Sequence, residues 1–168
     1  YVPGSLTVVL TPASSTTVVY TSSATFSVPA GVTSVIVEAW GGGGGGGRAR
    51  GNPATGGGGA GGAFARETVA VTPSQSYAVT VGAGGLGGNG TGTDTQHGRV
   101  GGPSWFGTTN TVYAEGGARG LSDGNINYAN GLPGLGSADF SIGDVVYRGG
   151  NGSTLTVTET GAGFTAES

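Results

Sequence analysis

Residues 33–47 read TSVIVEAWGGGGGGG, and this stretch decides the fold class of the chain. An extended segment here carries apolar side chains on both faces: Val35, Val37 and Ala39 on one, Ile36 and Trp40 on the other. Apolar residues on both faces predict a strand in the centre of a sheet. The seven glycines that follow argue against a helix, because each interior glycine costs about 1 kcal/mol relative to alanine.

A second glycine-rich tract occupies residues 56–62, after the linker RARGNPAT. Chains without side chains approach each other closely, so the two tracts can pack as extended, left-handed segments with three residues per turn that exchange backbone hydrogen bonds. Long flexible loops are the alternative, since ordering glycine costs more backbone entropy than ordering any other residue. The sequence leaves both interpretations open.

Strand patterns occur on both sides of the tracts. Residues 5–10 and 16–20 are rich in Val, Thr and Leu and flank a turn-prone break. Residues 63–72 and 76–81 alternate apolar with polar or small residues around Pro-Ser-Gln, which predicts a hairpin. No window shows the apolar spacing of an amphipathic helix. We therefore expect an all-β protein with almost no α-helix, a sandwich or jelly roll of antiparallel sheets with long glycine-rich loops.

The composition argues against several classes of function. The chain of 168 residues contains 40 Gly, no Cys and no Met, and its net charge is -3. Without Cys there are no disulfides, thiolate metal sites or thiol catalysis. The six Arg are scattered and Lys is absent, which argues against a nucleic-acid partner. The sequence contains no apolar run of about 18 residues, so it predicts no membrane span. These features favour an extracellular location, on a cell surface or a virion.

The order of three features resembles a known family. FSVPAG at residues 26–31 precedes the strand of residues 33–40 and the first glycine tract, and the pattern continues through the second tract and in residues 77–85 and 103–117. Over about residues 25–120 the chain resembles the glycine-rich domain of phage tail-fibre proteins and bacterial extracellular surface proteins. The resemblance implies a β-rich extracellular module, an adhesin or a surface component, and brings no catalytic residues with it.

No group of residues predicts catalysis, so we expect a non-enzymatic protein without a cofactor. GAGGLG at residues 82–87 has the spacing of a dinucleotide-binding loop, but no helix can follow it. His97 is the single His and is expected in a solvated loop. Ser104 does not lie in a G-x-S-x-G nucleophile motif. Four aspartates in turn-like contexts leave a weak Ca²⁺ site open beside simple turn capping: Asp94, Asp123, Asp139 and Asp144.

Aromatic residues supply the candidate contact sites. Trp105 and Phe106 are adjacent in a predicted strand, so one of them must point away from its own sheet, where it could stack on a sugar or seal a subunit interface. Tyr113 and Tyr128 are further ligand or interface candidates. Two asparagines in glycine-rich turns match the N-glycosylation pattern: Asn89 and Asn151.

The N-terminal strands provide the first functional hypothesis. We divide the chain into N-terminal extended strands, residues 1–24, and a glycine-rich β domain, residues 25–168. Strands outside the family-like part can add to a neighbour's sheet, which predicts a self-assembling subunit of a surface fibre or filament. The strand-addition candidates are Leu6, Val8, Leu10, Val18 and Tyr20. The alternative is an adhesin module of a phage tail fibre or bacterial surface protein, whose partner is a cell-surface glycan or an outer-membrane protein.

Overall fold

The computed structural model describes residues 2–10, 16–49, 55–89, 97–122, 134–157 and 164–167. Within these residues the regular structure is β-strand and no helix is present, so none could span a membrane. The all-β prediction is confirmed. The strands are β1 Ser5–Leu10, β2 Thr16–Tyr20, β3 Ala24–Ser27, β4 Ser34–Trp40, β5 Phe64–Ala70, β6 Ser76–Thr80, β7 Ser104–Phe106, β8 Val112–Ala114, β9 Val145–Tyr147, β10 Thr154–Val157 and β11 Phe164–Glu167.

Two antiparallel sheets form a sandwich. The first has the strand order β2-β1-β4-β5-β9 and the second the order β3-β6-β7-β8, while β10 and β11 form a separate two-stranded ladder. The strand of residues 34–40 lies between β1 and β5 and is central, as the apolar residues on both of its faces predicted. Side chains from both sheets form one hydrophobic cluster.

The core side chains become smaller toward one end of the sandwich. Along β4 the inward positions are Val35, Val37 and Ala39, and Gly41 follows in the same alternation. Along β7 and the residues before it the series is Phe106, Ser104 and Gly102. Sheets with full side chains pack about 10 Å apart, so this taper lets the two layers converge until their backbones meet.

The predicted hairpin of residues 63–72 with 76–81 is wrong. β5 pairs with β4 and β9 in the first sheet, whereas β6 pairs with β3 and β7 in the second. The turn between them therefore carries the chain from one sheet to the other. Ser74 adopts a φ of 63° there, and its N–H donates to the carbonyl of Val28 at 3.0 Å. Alternation of apolar and polar residues predicts a half-buried strand, but it does not determine which strand it pairs with.

Seven glycine-rich segments lie at the tapered end, within the residues that the structure describes, and all except the one at residues 134–136 continue a strand. We number them in chain order: I (41–47), II (56–63), III (82–88), IV (98–102), V (115–121), VI (134–136) and VII (149–153). The antiparallel ladders of the sheets continue into them without a change of register. Trp40 pairs with Phe64 in the sheet, and the N–H groups of Gly41, Gly44 and Gly47 donate to the carbonyls of Ala63, Ala60 and Gly57.

Hydrogen bonds between the segments recur every three residues and join the two sheets. Segment I donates from residues 42 and 45 to segment IV, at 2.9 and 2.8 Å, and accepts from segments III and V at equal intervals. Segments I and II extend the first sheet, while III, IV and V extend the second. A three-residue repeat is that of the extended left-handed helix of polyglycine. Of the two interpretations left open by the sequence, packed segments are therefore the one found.

Glycine is required in the segments by close packing. Among the described glycines, a positive φ occurs at Gly31 and Gly107, outside the segments. A Cβ atom on Gly44 would lie 2.0 Å from the carbonyl oxygen of Ala118, and one on Gly45 would lie 2.0 Å from that of Leu86. By contrast, a Cβ atom on Gly43 would meet its nearest neighbour, the oxygen of Ala60, at 3.7 Å. Position in the packing thus decides which glycine is replaceable.

Ser104 lies where the two layers converge, and its hydroxyl group forms hydrogen bonds with both. Its hydroxyl donates to the carbonyl of Trp40 at 2.7 Å and accepts the N–H of Gly82 at 2.9 Å. The side chain is fully buried. One hydroxyl therefore satisfies two backbone groups where segments I and III begin, a role that the sequence did not indicate.

Replacing Gly44 by alanine should destabilise the fold, whereas replacing Gly43 should not. The Gly44→Ala methyl group overlaps a backbone carbonyl that cannot move away alone, and overpacking of this kind costs about 1–3 kcal/mol or more. The Gly43→Ala methyl group has room and lowers the entropy of the unfolded chain, so we expect a change between zero and about 1 kcal/mol of stabilisation. Urea denaturation followed by circular dichroism measures both. Equal stability of the two variants would contradict the packing of segment I.

Replacing Ser104 by alanine should lower the free energy of unfolding by about 1–3 kcal/mol, because the buried N–H of Gly82 and the partly buried carbonyl of Trp40 each lose a hydrogen bond. The matched control is Ser76→Ala, since the Ser76 hydroxyl bonds that of Ser27 at the exposed surface. We expect the control to change stability by less than about 0.5 kcal/mol. The same denaturation experiment compares the two, and a loss in Ser104→Ala no larger than in the control would refute the junction role.

Candidate functional site

The strand-addition candidates lie inside the chain's own first sheet. Leu6 and Val8 are fully buried between the sheets. Val18 and Tyr20 are partly buried and pack against the same core. Leu10 is the register partner of Val35 on β4. In the structure, β1 fills the place between β4 and β2.

β1 is the link between two parts of the first sheet. Among the described strands, β2 pairs with β1 alone, and β4 has β1 and β5 as its two partners. Without β1, the remaining β4-β5-β9 sheet would end in an unpaired β4 edge, and β2 would have no partner. We call the place between β4 and β2, which β1 fills in the structure, the acceptor.

The end of β1 nearest the glycine segments fits closely. The N–H of Gly4 donates to the carbonyl of Gly82 at 3.0 Å. A Cβ atom at this position would lie 2.5 Å from the oxygen of Trp40 and 3.0 Å from the nitrogen of Gly42. Only glycine allows the chain to enter the acceptor beside the start of segment I.

The predicted ligand residues separate into core and surface. Phe106 is fully buried and packs against Phe26 and Tyr77, so it has no surface to offer a ligand. Trp105 points the other way along β7 and stacks on Tyr113 of β8, with ring centroids 6.2 Å apart. Both of these side chains are half-buried. Tyr128 lies outside the described residues.

A second aromatic row crosses the outer face of the first sheet. Trp40, Phe64 and Tyr147 are register partners on β4, β5 and β9. Their ring centroids are 4.9 and 6.0 Å apart, and Tyr147 is 65% exposed. Sequence reasoning missed this row, because its members are distant in the chain and meet only through strand pairing.

A groove with a volume of about 690 Å³ runs beside segment I. We call it the glycine groove, because residues 43–46 of segment I, residues 59–62 of segment II, and Gly85 and Gly87 of segment III form most of its walls. Trp40 lines it too, which connects the groove with the aromatic row. Val2, Pro3 and Ser5 of the N-terminal strand region line it as well. Where segments I to III form the walls the residues are glycines and Ala60, so hydrogen bonding to a ligand at that part of the groove would use N–H and C=O groups.

His97 and Ser122 tie segments IV and V together at their far end. His97 Nδ1 accepts the backbone N–H of Ser122 at 2.9 Å and lies 3.1 Å from its hydroxyl oxygen. The Ser122 side chain is 6% exposed. Because Nδ1 already accepts a backbone N–H, this pair links the ends of the two segments rather than activating the hydroxyl.

The remaining predicted polar sites are distributed over the surface. Asn151 is exposed, and its Oδ1 accepts the N–H of Gly136 at 2.9 Å. Asn89 is exposed, and its carbonyl accepts a hydrogen bond from Arg48. In the part of the chain that the structure describes, no group of three or more His, Cys, Asp or Glu could hold a metal ion. Asp94 and Asp123 lie outside that part.

Glu67 is an acidic side chain on the inward face of β5, opposite the fully buried Val37. Burial raises the pKa of its carboxyl group, and the negative charge of Asp144 raises that pKa further. The two residues line a small cleft of about 160 Å³ next to β9. Two carboxyl groups of like charge thus lie at the edge of the first sheet.

Glu67→Gln should reduce the pH dependence of stability. A carboxyl pKa raised in the folded state means that the folded chain binds a proton more tightly than the unfolded chain, so the free energy of unfolding falls as pH rises from the ordinary glutamate range through the raised pKa. Glutamine removes this fall. Urea denaturation across pH 4–8 measures this fall. Asp144→Asn removes the negative charge that raises the pKa of Glu67, so it should narrow the pH range over which the free energy of unfolding falls. Identical pH profiles for the parent chain and Glu67→Gln would contradict the assignment.

Comparison with known proteins identifies the family of the chain. The sequence model of the glycine-rich domain family matches residues 16–168, a longer stretch than residues 25–120, over which the sequence patterns suggested a resemblance. No curated protein and no solved structure matches the chain. The match begins at the first residue of β2 and includes all later strands and all seven glycine segments. The chain therefore belongs to the glycine-rich domain family.

Proposed function

We propose that this chain is a structural subunit of an extracellular fibre that assembles with copies of itself by β-strand addition. In the fibre, β1 of one copy occupies the place between β4 and β2 of the next. The observation that carries this proposal is the position of β1, which completes the centre of the first sheet although it precedes the residues matched by the family.

The first sheet is complete only when a strand fills the acceptor between β4 and β2. An unpaired β4 edge would expose a row of N–H and C=O groups to any other chain. The inward side chains Leu6 and Val8 are fully buried, and each contributes roughly 1.5–3 kcal/mol through removal from water. Their loss would also leave a cavity beside β4. A strand from the same chain or from a neighbour meets these requirements equally.

Exchange between copies preserves the contacts of β1. The register of Val8 with Val37 on one side and Val18 on the other would be the same whichever copy supplies the strand. Exchange of an identical element between protomers is a low-cost route to assembly, and a head-to-tail exchange that does not close produces a filament. The proposal thus uses the interactions that already stabilise the isolated chain.

A disulfide test distinguishes exchange from folding within one chain. Thr7 on β1 and Glu38 on β4 are register partners on the outer face, and the chain has no native Cys. We would mix a Thr7→Cys chain with a Glu38→Cys chain, unfold and refold them together, and oxidise them. Exchange predicts a disulfide between the two different chains, because directly opposite residues lie within disulfide reach.

The control pairs Thr7→Cys with Thr68→Cys, since Thr68 lies on β5 opposite Ile36 rather than opposite β1. This pair should give no specific product on a non-reducing gel. If Thr7→Cys and Glu38→Cys form a disulfide only when both are in one chain, and mixtures of the single variants stay unlinked, strand exchange is wrong.

An adhesin module is the second candidate, and the aromatic surfaces favour it. The Trp105–Tyr113 pair and the Trp40–Phe64–Tyr147 row present stacked rings on the outer faces of the two sheets. Stacked aromatic faces are suitable for apolar contact with a sugar ring or with a subunit surface. Monomers with a disulfide confined to one chain in the preceding experiment would favour this candidate over the fibre subunit.

A further inference from the structure

Segment I leaves one of its hydrogen-bonding directions unused. In a chain with three residues per turn, successive N–H groups point in three directions. Residues 41, 44 and 47 donate to segment II, and residues 42 and 45 donate to segment IV. The third direction belongs to Gly43 and Gly46, whose N–H groups have no acceptor among the described residues. Both residues line the glycine groove.

Segment II repeats this arrangement on the other wall. Its residues 57, 60 and 63 donate to segment V, and residues 58 and 61 donate to segment VII. Gly59 and Gly62 have no acceptor for their N–H groups within the described part of the chain, and both line the groove. The two walls therefore present four partly buried donors, which occur as two pairs of residues three apart.

The groove has the properties of an empty position in the packing of the segments. Two donors three residues apart repeat at about 9 Å, which is the repeat of the carbonyl groups on an extended three-residue-per-turn chain. The carbonyls of Gly41 and Gly44, on the same side of segment I, accept no backbone N–H from the described residues. Donors and acceptors together match a chain that has both, so a glycine-rich segment fits better than a proline-rich one, which lacks N–H groups.

We propose that the glycine groove binds a glycine-rich segment of a second copy of this chain. Segment VII is the segment best placed to enter it. Gly150 is exposed, and a Cβ atom there would meet no atom within 4 Å. Asn151 is exposed too, so one side of this segment faces away from its own packing. The contact extends the backbone hydrogen bonding of one copy into the next and does not depend on exchange of β1.

The test uses the full chain and a peptide of three Gly-Gly-Asn repeats, because Gly-Gly-Asn occurs at residues 87–89 and 149–151. Gly46→Leu fills the groove with a side chain. Its Cβ atom would lie 3.5 Å from the nearest atom, the oxygen of Gly57, so the fold should persist. Gly150→Leu is the matched variant on the donor segment, and circular dichroism checks that both variants are folded.

Isothermal titration calorimetry should show saturable binding of the peptide to the parent chain and to Gly150→Leu. Gly46→Leu should bind it at least about tenfold more weakly, because the leucine side chain occupies the groove beside the segment I donors, the N–H groups of Gly43 and Gly46. A peptide of Ala-Ala-Asn repeats should not bind, since its methyl groups meet the backbone of the walls. Sedimentation velocity should show weaker self-association for both variants.

Three results would overturn the proposal: no saturable binding of the glycine peptide, equal binding of the alanine peptide, or unchanged self-association in folded Gly46→Leu. Binding of a soluble glycan that Gly46→Leu abolishes, without peptide binding, would assign the groove to an adhesin instead. The disulfide experiment on β1 gives an independent answer, so failure of strand exchange and failure of groove binding are distinguishable.

Discussion

The exclusion of Cβ atoms from the space between the glycine segments is the constraint on which the rest of the structure depends. In a sandwich with ordinary side chains the two layers stay about 10 Å apart. Here the segments that extend both sheets exchange N–H···O=C bonds of 2.8–3.0 Å across the layers, as between Gly42 and Gly102 or Ala60 and Ala118. The sheets therefore converge from a side-chain core to direct backbone contact.

Several local features follow from this convergence. The inward residues shrink from valine to alanine to glycine along β4, and from Phe106 to Ser104 to Gly102 at β7. Gly4 is needed where β1 passes the start of segment I, since a side chain there would strike Trp40 and Gly42. At the transition, the Ser104 hydroxyl bonds one backbone group from each layer, the carbonyl of Trp40 and the N–H of Gly82. A thin core thus suffices, because backbone hydrogen bonds replace side-chain packing at one end of the sandwich.

The two proposed interactions with other copies differ in the backbone groups that they use. Strand addition would pair the β4 edge with a strand whose side chains fill the core, so its specificity comes from Leu6 and Val8. Groove binding would pair unused N–H groups of segments I and II with a chain that has no side chains on the contacting face. Both proposed contacts would form many backbone hydrogen bonds together, and neither would require a disulfide.

The sequence determined the fold class, the central position of β4 and the possibility of packed glycine segments. These properties are local: alternation, apolar residues on both faces and runs of glycine can be read along a single stretch. Residues 63–72 and 76–81 alternate as strands should, yet the sequence wrongly paired them with each other. The sequence predicted neither the Trp40–Phe64–Tyr147 row nor the glycine groove.

Only the tertiary structure decided which strands pair and which residues each glycine contacts, because these neighbours are distant in the chain. The aromatic row exists because β4, β5 and β9 are neighbours in one sheet. Gly43 and Gly44 are identical as residues, but a Cβ atom on Gly43 would lie 3.7 Å from its nearest neighbour, whereas one on Gly44 would lie 2.0 Å from a carbonyl oxygen. The sequence by itself determined that the chain would contain strands and long glycine tracts. Whether the tracts pack, and which strands and glycines meet, depended on backbone hydrogen bonds between residues far apart in the chain, whose pairing no local pattern specifies.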